Sequence, residues 1–190
     1  MYTRVSSFFV LVLSLVLPLL LAACVTQPVA PLARLGLTLA PADLGESLAL
    51  QQHLKVERNG RIDEIDAALE IDSEHLELVG LAFGQRVLSL HYDGKTLQSW
   101  RHVMLPSQVR AEDVLEDMQL TLWPLASIRK ALPAGWHIEE EGLRRTLSKG
   151  DTVVAVINYA ALPRWNGTVT LDNLRYGYRL SIQSVVSGSQ

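Results

Sequence analysis

From Leu48 onward, apolar residues fall at every second position in run after run, and the runs are separated by signals for tight turns. Leu48, Leu50, Leu54 and Val56 alternate with Ala49, Gln51, His53, Lys55 and Glu57, and Asn59-Gly60 follows. A two-residue hairpin turn needs positive φ at both central positions, which asparagine and glycine tolerate. Asn-Gly between alternating runs therefore predicts a β-hairpin. Ile65, Ala67, Leu69 and Ile71 continue the alternation, followed by Leu76 and Leu78, then Leu88, Leu90 and Tyr92. Asp93-Gly94 makes a second tight turn before a run over residues 96–105. A period of two places one face of each strand toward an apolar interior. Strands joined by turn-length connections form an antiparallel meander.

The period then changes. Val114, Leu115, Met118 and Leu122 are spaced by threes and fours, which predicts a helix presenting one apolar face. Glu112 and Asp113 stand in its first turn, where the helix dipole favours negative charge. A second short helix begins at Pro124 and presents Leu125, Ile128 and Leu132. Alternation resumes at Trp136 and continues to the run ending in Tyr178, Leu180 and Ile182. The expected fold is mainly β, about ten antiparallel strands with two short helices inserted midway. Helices this short cannot cover a whole face of such a sheet. Either the sheet closes into a filled barrel, or a cleft stays open beneath the helices.

The first residues give an address. Arg4 precedes an apolar run from Phe8 to Leu21, and Ala22-Ala23 lead into Cys24, the chain's one cysteine. That layout predicts a secretory signal over residues 1–23. A lone cysteine allows no disulfide within the chain. Residues 24–44, rich in proline, are expected to be a tether, residues 45–186 the folded domain and 187–190 a loose tail. Without residues 1–23, the 17 basic residues lose Arg4 and the 20 acidic residues lose none, leaving a formal charge of −4. Mild acidity argues against nucleic acid as a partner, since neutralising phosphates needs a basic face.

Nothing in the chain marks an enzyme. It has no nucleophile elbow, no paired-histidine zinc motif and no phosphate-binding glycine loop. The five histidines are scattered over separate runs, and His53, His75 and His91 fall on the polar phase. Glu139, Glu140, Glu141, Arg144 and Arg145 read as cross-strand charges on an outer face. Trp123 and Trp136 bracket the helices and are expected to pack them onto the sheet. No cofactor, metal site or catalytic residue is expected.

One connection breaks the pattern. Between the third and fourth runs, where a polar turn belongs, stand Leu81, Ala82 and Phe83, followed by Gly84.

Several short motifs carry a resemblance: Gly84-Gln85-Arg86, Tyr92-Asp93-Gly94, Leu105-Pro106, Leu122-Trp123-Pro124 and Gly177-Tyr178-Arg179-Leu180. Over residues 45–186 the chain resembles the DUF3261 family of bacterial lipoproteins, itself similar in layout to the LolA/LolB lipoprotein carriers. The resemblance implies an unclosed half-barrel with a helical lid over a cleft that receives acyl chains. Leu21-Ala22-Ala23-Cys24 resembles a lipobox, implying a triacylated Cys24. Val25, where an aspartate would retain the protein, implies transfer to the outer membrane, facing the periplasm. In LolB-like proteins the hairpin between the third and fourth strands carries an apolar residue that presses into the membrane; Leu81, Ala82 and Phe83 take that place, the alternative being that Leu81 and Phe83 fold back as plugs at the barrel's end. Residues expected to line cleft and lid are Leu54, Val56, Leu69, Ile71, Leu78, Leu88, Leu90, Val114, Met118, Leu122, Leu125, Ile128, Leu180 and Ile182. The implied function is binding and transfer of a lipid, a lipoprotein or an aryl polyene-like lipid, with an exporter or periplasmic carrier as possible partner. The alternative is a scaffolding or glycan-binding lipoprotein with a filled barrel.

Overall fold

A computed structural model describes residues 34–187. The five-strand meander is β1 (Leu48–Arg58), β2 (Arg61–Ile71), β3 (Leu76–Ala82), β4 (Gln85–Tyr92) and β5 (Leu97–Arg101). Helices α1 (Ala111–Leu122) and α2 (Leu125–Ala131) follow. The chain then makes β6 (Trp136–Glu141), β7 (Arg144–Lys149), β8 (Thr152–Tyr159), β9 (Gly167–Asn173) and β10 (Tyr178–Val186). All ten strands join one antiparallel sheet in the order β5-β4-β3-β2-β1-β10-β9-β8-β7-β6. The two meanders meet where β10 pairs with β1, and β5 and β6 remain as edges, so the sheet is not closed into a barrel.

This topology dictates where the helices go. The chain leaves the sheet at one edge, β5, and re-enters at the other, β6, so the segment between them bridges the gap. Flat, ten strands would hold those edges roughly 40 Å apart at the usual strand spacing. The sheet curls instead, and α1 sits inside the curve. From Leu115 to Trp123 the helix is buried on every side except at Met118. That differs from the expected lid with one apolar face, because its polar residues find partners inside.

β5 ends at Arg101, earlier than the alternation suggested, and residues 102–105 turn away, closed by a bond from the Leu105 N–H to the His102 carbonyl. A 3₁₀ turn occupies Pro41–Leu44.

The expected tether needs correcting over residues 34–44. Leu35, Leu37 and Leu39 are buried, alternating with exposed Arg34, Gly36 and Thr38. This extended segment pairs with no strand. A stripe of side chains on α1 holds it: Asp113 binds the Arg34 guanidinium at 2.9 Å, and Glu116 accepts the Gly36 N–H at 3.1 Å. Gln119 accepts the Leu39 N–H at 3.0 Å and donates to its carbonyl at 2.9 Å. The Trp123 indole donates to the Ala40 carbonyl at 3.0 Å. Those positions, spaced by threes and fours, lie along one side of the helix. Gln119 satisfies two buried backbone groups at once, so Gln119→Leu is expected to cost about 2 kcal/mol, read from urea unfolding. Unchanged stability would mean that the segment detaches without consequence. From Arg34 onward the chain is one compact unit with its own core, and it is expected to fold without what precedes it.

Candidate functional site

Antiparallel pairing gathers several turns at one end of the curved sheet. The β1–β2, β3–β4, β7–β8 and β9–β10 turns lie there, as does the end of β5, whose His102 N–H bonds to the Val87 carbonyl. Apolar side chains are exposed around this end: Ile62, Val103, Met104, Leu174 and Phe83.

Phe83 is the extreme case, at 94 % exposure. It occupies a two-residue turn with Gly84, and the two have φ of 51° and 70°. Asn59-Gly60 fills an equivalent turn with φ of 51° and 75°. One of the two turns thus uses the residue that this backbone prefers, and the other uses a bulky aromatic that it disfavours. Leu81 is partly exposed and Ala82 half-buried. Behind the tip, Arg86 lies over the Trp100 ring at 5.0 Å.

The concave face behind this rim changes character with depth. Cys24 lies outside the described residues. Of the fourteen residues expected to line cleft and lid, Leu69, Ile71, Leu78, Leu88, Leu90, Leu122, Ile128 and Ile182 belong to the buried core. They are corrected from lining to filler, because α1 and the leucines of residues 35–39 occupy the deep end. Leu54, Val56, Val114, Met118, Leu125 and Leu180 remain half-exposed. Register places Leu54 opposite Ile65 and Ile182, and Val56 opposite Leu180, so these residues share one concave patch near the rim.

The interior also has a polar half, which the alternating apolar residues leave unmarked. On the β7–β10 side, the concave phase carries Arg145, Tyr159, Asn173 and Tyr178, and each meets α1. The Arg145 guanidinium is fully buried; it donates to the Leu120 carbonyl at 2.8 Å and pairs with Glu140, which also binds Arg164 at 2.9 Å. Tyr159 donates to the Thr121 carbonyl at 2.8 Å. Together they satisfy carbonyls that a helix C-terminus leaves open. Only Glu139, Glu141 and Arg144 of the expected surface cluster are exposed; Glu140 is half-buried and Arg145 is inside. Burial pushes the Tyr159 hydroxyl up to about 12. Glu116 pairs with Arg175, whose guanidinium stacks on Tyr176 at 4.3 Å. The Asp117 carboxylate accepts from the Tyr178 hydroxyl and, at 3.5 Å, from the Asn173 amide, and burial pushes its pKa up to about 7. A strand pattern containing Arg145, Tyr159, Asn173 and Tyr178 in the inward phase was the available signal.

Three of the five histidines sit in surface pairs: His53 with Asp66, His75 with Asp72 and His91 with Glu77. Among the described residues no group of three or more His, Cys, Asp or Glu side chains could hold a metal ion, and no helix is long and apolar enough to cross a membrane.

The family model described as "Protein of unknown function (DUF3261)" matches residues 49–186. No curated protein matches the chain. Among solved structures, the crystal structure of a DUF1329 family protein from Desulfovibrio piger is similar, at 10 % identity and a TM-score of 0.36, covering 79 % of this chain and 90 % of that one. So loose a superposition carries no argument about function.

Proposed function

The chain belongs to the DUF3261 family, and from that premise we propose that it is a lipid-anchored carrier which takes acyl chains at the half-open end of its curved sheet and passes them to a membrane. The observation that carries this reading is Phe83: an aromatic ring held almost wholly in water, on a backbone that favours asparagine. Neither fold stability nor solubility accounts for it. A membrane does, because an apolar tip on a rigid hairpin can enter the headgroup layer. The rim carries further apolar groups, and Arg86 beside Trp100 supplies a cation at the same corner. Anchoring through Cys24 to the outer membrane is part of this proposal.

The energetics suit transfer without covalent chemistry. Each buried methylene gains about 0.8 kcal/mol relative to water. A groove and a bilayer offer similar gains, so uptake and release are nearly balanced, and a tip that shortens the passage between them speeds exchange.

Two substitutions at one position test this. Phe83→Asn supplies the residue that the turn prefers and is expected to raise stability by about 0.5–1 kcal/mol while slowing delivery of a fluorescent lipid to liposomes. Phe83→Glu is expected to bind the lipid normally and to stop delivering it. Unchanged delivery in both would remove Phe83 from the mechanism.

The filled deep end favours a second reading, a scaffolding lipoprotein whose interior is its own core. It predicts no binding of a hydrophobic dye, whereas the carrier reading predicts binding that Leu54→Asp or Leu180→Asp abolishes.

A further inference from the structure

A pocket of about 470 Å³ lies at the rim, between the β1–β2 turn and the β9–β10 turn. Arg58, Arg61 and Arg179 line it, together with Asn173, Tyr178 and Leu174. Most of its charges are paired. Arg179 binds Asp172 through Nε at 2.5 Å, and Arg61 binds Asp63 through Nε and Nη2 at 2.9 Å. Glu57, the remaining acid in the lining, binds Lys55 at 2.9 Å. Arg58 has no ion pair or side-chain hydrogen bond among the described residues. The balance of the pocket is therefore positive, on a chain whose overall charge is negative. Arg61 directs its Nε edge at a carboxylate, which leaves other guanidinium N–H groups for a second acceptor.

The pocket also stands in line with the apolar patch. Arg58 follows Leu54 and Val56 at steps of two, in the same concave phase, and Leu180 lies opposite Val56. A two-residue step along a strand is about 7 Å. Moving outward along β1, the surface thus changes from leucine and valine to arginine just where the sheet meets water. Exposed Ile62 and Leu174 flank the opening.

From this juxtaposition we infer that the rim pocket binds the anionic headgroup, phosphate or carboxylate, of an amphiphile whose hydrocarbon lies along the Leu54–Val56–Leu180 patch. The inference rests on the carrier reading and narrows its cargo to single-headed anionic amphiphiles. Arg58 supplies the unshared charge, and Arg61, its cross-strand neighbour in the same concave phase, supplies additional donors; Arg179, one residue from Leu180, turns to the other face beside Asp172 and Glu57. Neutral lipids of equal chain length would lose this contact and keep the apolar one.

The test uses two probes that differ only in the headgroup, cis-parinaric acid and its methyl ester, titrated by fluorescence into the chain from residue 25 onward. The acid is expected to bind about tenfold more tightly than the ester, the worth of one hydrogen bond to a charged group. In Arg58→Gln/Arg61→Gln, whose melting is checked against the wild type, the acid should fall to the ester's affinity with the ester unchanged. Equal affinities in the wild type, or a preference that survives the double substitution, overturn the inference and leave the carrier reading standing. If neither probe binds, the carrier reading itself fails and this inference fails with it. Inorganic phosphate separates the two sources of the anion: it should neither displace the acid nor raise the melting temperature, and an arginine-dependent rise would reassign the pocket to free phosphate.

Discussion

Arg145→Ala is expected to lower the unfolding free energy by about 3–5 kcal/mol, while Arg144→Ala, one residue away, changes it by less than about 0.5 kcal/mol. Cross-strand pairing accounts for the contrast. β7 turns successive side chains to opposite faces, so Arg144 points to water and Arg145 to the interior. Inside, the guanidinium has no exposed surface, pairs with Glu140, donates to the Leu120 carbonyl and lies 5.6 Å from the centre of the Tyr159 ring. Truncation removes all of this. The Leu120 carbonyl loses its donor, and Glu140 is left with Arg164 alone. Arg145→Lys should recover little, because an ammonium cannot span both acceptors with one planar fork. Urea unfolding of the three variants provides the measurement. Equal losses for Arg144→Ala and Arg145→Ala would contradict an interior Arg145.

Asp117 is expected to make the protein less stable as pH rises. Burial raises its folded pKa to about 7, above the unfolded value near 3.8. Between those values the folded chain holds a proton that the unfolded chain has released. The contribution is therefore fully present below pH 4 and lost as pH rises through 7. Three pH units correspond to about 4 kcal/mol. Other carboxylates act in the opposite sense: Asp72 and Asp93 are held low by backbone N–H groups, those of His75 and Thr96 first. Comparison with Asp117→Asn cancels them. Between pH 4 and 8 the wild type should lose up to about 4 kcal/mol relative to that variant, measured by urea unfolding at each pH. Parallel profiles would place Asp117 in water. In Tyr178→Phe the carboxylate loses its hydroxyl donor, and its pKa should rise further.

Much of the architecture can be read from the chain. Alternation from Leu48 to Tyr92 and from Trp136 to Ile182 corresponds to nine of the ten strands, the run that follows Asp93-Gly94 contains β5, and Asn59-Gly60 is a two-residue turn with positive φ at both positions. The period change at Val114 corresponds to α1. The DUF3261 resemblance is borne out over residues 49–186. Phe83 was legible as an anomaly, since apolar residues in a turn conflict with local rules. The misreadings concern what fills the curve. Leu35, Leu37 and Leu39 had no strand to pair with and were joined to the tether. Glu116 and Asp117 lie off the apolar face expected of α1 yet are buried, and Arg145, expected as a surface charge, is inside.

Strand positions, their turns and the phase facing inward follow from the sequence alone, because backbone geometry fixes a two-residue period within a few positions. Which charges enter the interior was decided only by tertiary structure. Arg145 meets Leu120 across 25 positions, Arg175 meets Glu116 across 59, and Tyr178 meets Asp117 across 61. A buried charge is tolerated only where such a distant partner awaits it. Only once the sheet curls around α1 do these pairs form, and the same curl leaves one end of the concave face half-open.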